Sequence, residues 1–224
     1  MKLTIIGNYG PYPRQSGTSC SCYLIEDKGV KMLLDFGTGA IANLQSVIDI
    51  KDIDYIFISH LHFDHTSDLL PLKYLLADKG KRINIITEKS EQDYYKILFD
   101  SPYFNIINVD KKSEIKLGEL TLTFFNTVHP IPNLGIRIKG DKTFIYTGDT
   151  VMFDGLKKEL KDADIVLIDA LKSDNFKGPH MRTCEAIKLQ KELGGIYILT
   201  HKSDYEIEDA ENIIMAKNLA KYEF

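Results

Sequence analysis

The sequence predicts an α/β fold built on mixed sheets. Short apolar segments rich in β-branched and aromatic residues recur along the chain, each bounded by turn formers. Longer stretches with helical spacing lie between many of them. Early strands follow one another through hairpin-like turns such as Asp27-Lys28-Gly29 and Lys139-Gly140-Asp141, whereas later ones alternate with helices, which argues against one purely parallel sheet.

The predicted strands, in order, are KLTIIG (2–7), SCYLIED (21–27), VKMLLDFG (30–37), DYIFISH (54–60), RINIITE (82–88), ELTLTFFNTVH (119–129), GIRIKG (135–140), TFIYTGD (143–149), DIVLIDA (164–170) and IYILTH (196–201). Helical spacing is expected over 39–50, 67–79, 90–99, 154–161, 181–193 and 206–220. In the fifth of these, Ala186, Ile187, Leu189 and Leu193 share one flank, and Gly194-Gly195 supplies a stop.

At 224 residues, with 44% hydrophobic and 27% charged side chains and no low-complexity linker, the chain is expected to form a single domain, 1–224. A formal net charge of −4 advertises neither a nucleic-acid nor a membrane partner. The N-terminus lacks the pattern of a secretory signal, and no apolar run approaches the roughly 20 residues needed to span a bilayer, so a cytoplasmic protein without a membrane partner is expected. Three cysteines, Cys20, Cys22 and Cys184, fit a reducing compartment. The Cys20-x-Cys22 pair lacks the second pair that a four-ligand site needs, which favours small residues packed in a strand over a metal or redox site.

The chemistry concentrates in Ser59-His60-Leu61-His62-Phe63-Asp64-His65, directly after the strand-like segment 55–59. Imidazole and carboxylate are the ligands that hold zinc or a similar divalent ion while leaving positions open for water. In an extended segment His60 and His62 point to one side and reach one ion, and a turn after Phe63 aims Asp64 and His65 at a second. His129, Asp149 and His201 follow three further predicted strands, where α/β proteins gather functional residues. Of six histidines, His180 alone remains, in Gly-Pro-His-Met-Arg-Thr.

With this motif order, the chain resembles the metallo-β-lactamase superfamily over nearly its whole length. The resemblance implies a four-layer αβ/βα sandwich with two metal ions in a cleft at one edge of the facing sheets. Carried over by position, His60, His62 and His129 bind the first ion, Asp64, His65 and His201 the second, and Asp149 bridges them. Asp35, in Leu-Leu-Asp-Phe-Gly-Thr-Gly, is expected to support the metal histidines by hydrogen bonding, and Gly37 and Gly39 to permit a tight turn.

Within the superfamily, the Asp64-His65 ending implies two metals and differs from β-lactamases, which usually carry arginine at the second of these positions. A glutamate normally replaces His62 in flavo-diiron proteins. Glyoxalase II-like thioesterases and lactonases usually carry Gly-His-Thr-Pro-Gly at the third histidine, where this chain has Thr-Val-His-Pro-Ile-Pro. That segment, Tyr-Thr-Gly-Asp-Thr and Pro-His-Met-Arg-Thr-Cys-Glu-Ala look similar to the ribonuclease Z-like phosphodiesterases. Only 19 residues separate His129 from Asp149, which leaves no room for the long arm of tRNA-processing members. A small-molecule phosphoester, such as a cyclic phosphate or nucleotide, is therefore expected rather than a large RNA.

The expected nucleophile is a hydroxide generated by two divalent ions, for which zinc fits the donors best and manganese or iron also suits. The expected catalytic residues are Asp64, within the metal shell, and His180, the proton donor to the leaving group, oriented by Asp169. A thioesterase or lactonase on the same metals and a non-catalytic metal-binding scaffold are the alternatives. Arg14 reads as a solvated residue before a phosphate contact. Tyr94, Tyr95, Phe99, Tyr103 and Phe104 read as core, with a substrate rim or homodimer contact as alternatives.

Overall fold

A computed structural model describes residues 1–171, 178–202 and 210–224. From the N-terminus the elements are β1 (Lys2–Gly7), β2 (Cys22–Asp27), β3 (Val30–Leu34), α1 (Ala40–Val47), β4 (Tyr55–Ile58), α2 (Phe63–Thr66), α3 (Leu69–Lys79), β5 (Ile83–Thr87), α4 (Asp93–Phe99) and β6 (Phe104–Asn108). There follow β7 (Glu114–Leu117), β8 (Leu120–Asn126), β9 (Leu134–Lys139), β10 (Thr143–Tyr146), α5 (Leu156–Leu160), β11 (Ile165–Asp169), α6 (Thr183–Leu193), β12 (Ile196–Thr200), β13 (Ile213–Met215) and β14 (Lys221–Glu223). Two compact units emerge, one of Met1–Val109 with Lys217–Phe224, the other of Asp110–Ala216.

The first unit holds a seven-stranded sheet in the order β14-β1-β2-β3-β4-β5-β6. Its β14-to-β3 half is antiparallel and its β3-to-β6 half parallel. The β2–β3 hairpin turns on Lys28 and Gly29, whose φ angles of 48° and 78° supply the paired left-handed residues of a type I′ turn. Ile6, Leu24, Leu33, Ile56, Ile58 and Ile85 pack with Leu44, Leu69, Leu72, Leu76 and Leu98 from the helices. Their neighbours along the strands, including Ile5, Tyr23, Ile25, Leu34, Phe57 and Ile86, are buried too. Burial on both faces is why these strands read as near-continuous apolar runs rather than as alternating ones.

The second unit repeats the plan, with the order β13-β12-β11-β10-β9-β8-β7, parallel from β13 to β10 and antiparallel from β10 to β7. Here Ile145, Val166, Ile168, Tyr197 and Leu199 pack with Leu156, Leu160, Ala186 and Leu189.

The helix expected over 206–220 is corrected across its described part: 210–220 hold a turn, β13 and a short link, while 206–209 lie outside the described residues. Left-handed φ values of 62° at both Asn212 and Leu219 break any continuous helix, and Ile213–Met215 pair in parallel with β12 instead. The strands β6, β7, β13 and β14 were not expected, and β8 stops at Asn126, so His129 lies three residues beyond it rather than at its end.

Asp68 joins the helices of the first unit. Its carboxylate makes no cap on α3; its Oδ2 accepts instead from the Ile41 amide in the first turn of α1 at 2.8 Å. Burial raises its pKa above the ordinary 3.8 by more than the amides of Ile41, Gly39 and Ala40 lower it. The folded state therefore binds this proton more tightly than the unfolded chain, and the associated stability is full below 3.8 and is lost as pH rises through the raised value. Urea unfolding of wild type and Asp68→Asn across this range is expected to show a wild-type-minus-variant stability difference that falls as pH rises and then levels off.

Candidate metal centre

In the first unit the donors are organised by Asp35, a fully buried carboxylate at the end of β3 whose φ is 58°. Its Oδ1 accepts from the Ser59 amide at 2.7 Å, and its Oδ2 from Ser59 Oγ at 2.8 Å and from His65 Nδ1 at 2.6 Å. An ionised carboxylate only accepts, so Nδ1 of His65 carries the proton and the ring's lone pair lies on Nε2. Ser59 Oγ also meets His60 Nδ1 at 3.0 Å. The opposite nitrogen, His60 Nε2, converges on His62 Nδ1 at 3.0 Å. Two imidazole nitrogens on one tetrahedral zinc stand about 3.3 Å apart at ordinary bond lengths, so this pair has nearly the spacing of two ligands on one ion. Asp64 Oδ2 lies 3.7 Å from His65 Nε2.

Backbone contacts hold this loop against the one that carries Asp35. Phe36 donates its amide to the His65 carbonyl at 2.8 Å, and Asp68 donates to the Phe36 carbonyl at 3.2 Å. A Cβ on Gly37 would stand 1.8 Å from the Asp64 carbonyl oxygen, so only glycine fits there. Gly39, at φ 83°, is the left-handed entry to α1.

In the second unit His129, Asp149, His180 and His201 come together. Asp149 Oδ2 lies 3.2 Å from His201 Nε2, 3.7 Å from His180 Nδ1 and 3.9 Å from His129 Nε2. His129 Nδ1 donates to the Pro179 carbonyl at 3.2 Å, which leaves its lone pair on Nε2, the nitrogen nearer Asp149. Ligand atoms of Asp149, His180 and His201 all lie within 4.8 Å of one another. His180 Nδ1 sits 2.9 Å from Asp169 Oδ2, and its ring stacks on His201 with centroids 5.0 Å apart. Asp169 is buried at the end of β11 and also accepts from the amides of Thr150 and Leu171, at 3.0 Å each.

Both clusters fit divalent metal by their donor chemistry: imidazoles and carboxylates brought together, with the remote ring nitrogens of His65 and His129 held by the Asp35 carboxylate and the Pro179 carbonyl, as those of metal-ligating histidines usually are. Sequence reasoning missed Asn133, buried behind Asp149, whose Nδ2 donates to the carbonyls of Asp149 at 2.8 Å and Thr147 at 3.2 Å and contacts Thr127 Oγ1. It also missed Ser59 as the link between Asp35 and His60. Neither stands out in the sequence, since a single Asn or Ser gains its role only from the groups its side chain meets in the fold.

Cys20 and Cys22 are free and buried, and burial pushes the Cys20 thiol up to about 12, which suits packing rather than redox or metal chemistry. Arg14 stacks 4.2 Å over the Tyr12 ring and donates to its hydroxyl at 2.9 Å. Phe99 and Phe104 are core residues, with Tyr94, Tyr95 and Tyr103 packed against them half-buried. No described helix is long and apolar enough to cross a membrane.

Residues 16–182 match the family model described as the metallo-beta-lactamase superfamily. The chain is 28% identical over 220 residues to "Probable metallo-hydrolase YhfI" of Bacillus subtilis, covering 93% of this chain and 90% of that protein. The crystal structure of YhfI, a metallo-beta-lactamase fold protein, matches with a TM-score of 0.90 at 25% identity over 99% of each chain. The short form of human tRNase Z matches at 0.82 with 20% identity, covering 100% of this chain and 99% of that one. A diphosphatase of the PhnP family matches at 0.77 with 19% identity, over 100% and 97%. The two mixed sheets with their helices are thus the metallo-β-lactamase fold.

Gly37→Ala is expected to cost about 1–3 kcal/mol in stability by overpacking and, because the forced shift falls on the Asp64 backbone, to lower metal content as well. Calorimetry together with metal analysis after dialysis checks both; a stable variant with wild-type metal content would show that the close approach has no bearing on the donors.

Proposed function

We propose that this chain, which belongs to the metallo-β-lactamase superfamily, is a dinuclear metal-dependent phosphodiesterase acting on a small phosphodiester or cyclic phosphate. In this proposal His60, His62 and His129 hold one divalent ion, Asp64, His65 and His201 hold another, and Asp149 is shared. Zinc suits these ligands best.

The observation that carries the choice of reaction is the His180–Asp169 pair, 2.9 Å apart beside Asp149. Divalent ions bound to the two clusters supply the Lewis acidity that acidifies water and offsets phosphate charge. What remains for the protein is a proton for the departing alkoxide, a poor leaving group. His180 would deliver that proton from Nε2, while Asp169 accepts from Nδ1 and orients the ring. Thiolate leaving groups have far less need of such a donor, which favours phosphodiesters over thioesters. Two structural relatives, a tRNase Z and a diphosphatase of the PhnP family, carry names of enzymes that act at phosphorus, which supports this choice. The short connection between His129 and Asp149 favours a small substrate over the large RNA.

Metal-stripped and metal-reconstituted protein assayed on bis-p-nitrophenyl phosphate, thioesters and lactones tests the class. Phosphodiester turnover restored by divalent metal is expected, with His62→Ala and Asp149→Ala at least about 1,000-fold slower; turnover of carbon esters alone would contradict it. For the donor, His180→Gln is expected to lower kcat about 100-fold on substrates with alkyl leaving groups and far less on p-nitrophenyl esters, whose leaving group needs no proton. An equal loss on both would remove His180 from that role.

A further inference from the structure

Phe63 stands between His62 and Asp64 and is 69% exposed, whereas phenylalanine is among the residue types most often fully buried. Its ring is nevertheless fixed. It meets Tyr94 edge to face, with centroids 4.9 Å apart and planes at 80°. The Tyr94 hydroxyl is hydrogen-bonded to Thr66 Oγ1 at 3.0 Å, and Thr66 Oγ1 donates to the His62 carbonyl at 2.8 Å. An open aromatic ring is thereby tied to the same backbone that presents the His62 imidazole, and the edge contact with Tyr94 leaves most of its surface accessible.

From this geometry we infer that Phe63 is a stacking platform for the base of a nucleoside phosphodiester, which makes the substrate a nucleotide rather than a base-free sugar phosphate. The inference rests on the phosphodiesterase proposal for the chemistry at the neighbouring donors and adds the substrate's second half. A planar π-face suits an aromatic ring held at a fixed angle, because stacking needs no hydrogen-bond partner and accepts any base. The other exposed apolar side chains of this unit's helices, Leu70, Tyr74 and Ile97, lie on α3 and α4, away from the donor segment in sequence. Phe63 alone among them adjoins two donor residues.

Two readouts on metal-reconstituted full chain separate this inference from the proposal beneath it. Equilibrium binding of adenosine 5′-monophosphate and ribose 5-phosphate needs no turnover. Wild type is expected to bind the nucleotide about tenfold or more tightly, Phe63→Ala to abolish that preference, Phe63→Trp to keep it, and the control Tyr74→Ala to leave it intact. Steady-state assays on a 2′,3′-cyclic nucleotide and a cyclic ribose phosphate should give the same pattern in the ratio of KM values. Nucleotide preference without any turnover would sink the phosphodiesterase proposal and leave the platform standing. Equal binding of both ligands by wild type would overturn the platform, and so would a preference that survives Phe63→Ala. Loss of self-association in Phe63→Ala with unchanged ligand preference would assign the ring to a second copy of the chain and overturn it likewise.

Discussion

The donor geometry of the first unit depends on the buried carboxylate of Asp35. A fully buried anion is costly unless its oxygens are satisfied, and Asp35 is satisfied by the Ser59 amide, the Ser59 hydroxyl and His65 Nδ1. Those same bonds fix the tautomer of His65 and tie down the residue before His60. The left-handed backbone at Asp35 turns the chain out of β3 so that the next residue, Phe36, exchanges hydrogen bonds with His65 and Asp68. One carboxylate thus couples the strand end, the donor loop and the entry to α1.

Asp169 plays the corresponding part in the second unit. It too is buried at a strand end, accepts two backbone amides, and meets the Nδ1 of a histidine. In both units the parallel half of a mixed sheet delivers several strands with their C-terminal ends at one edge, where such carboxylates organise the loops that follow. Left-handed residues recur at these exits, at Asp35, Gly148 and His201, because each chain segment must reverse within one or two residues of its strand.

Much of this was legible in the sequence. The strands β1 to β5 and β10 to β12 stand out because burial on both faces demands nearly unbroken hydrophobic runs, and β8 and β9 because apolar residues alternate with polar residues or glycine along them. The donor residues stood out because His60, His62, Asp64 and His65 are too dense for ordinary structure. The pairing of His180 with Asp169, implied by the resemblance to ribonuclease Z-like phosphodiesterases, appears at hydrogen-bond distance. What escaped notice acts through single backbone atoms or brief contacts. The edge strand β14 is three residues long, and β6, Phe-Asn-Ile-Ile-Asn, has too little alternation to announce itself. The segment around Ile213–Met215 carries apolar residues that fit a helix or a strand equally, and register with β12 decides between them. Ser59, Asp68 and Asn133 are small polar residues whose importance lies in what they meet in the fold: the Asp35 carboxylate and the His60 ring for Ser59, the Ile41 amide for Asp68, and the Thr147 and Asp149 carbonyls for Asn133.

The proposal that the two clusters together hold a pair of divalent ions can be tested directly. Anomalous scattering at the zinc edge from crystals grown with zinc measures this directly. Two strong peaks a few ångströms apart are expected, one ligated by His60, His62 and His129, the other by Asp64, His65 and His201, with Asp149 touching both. A single peak, or zinc bound away from these side chains, would contradict the account.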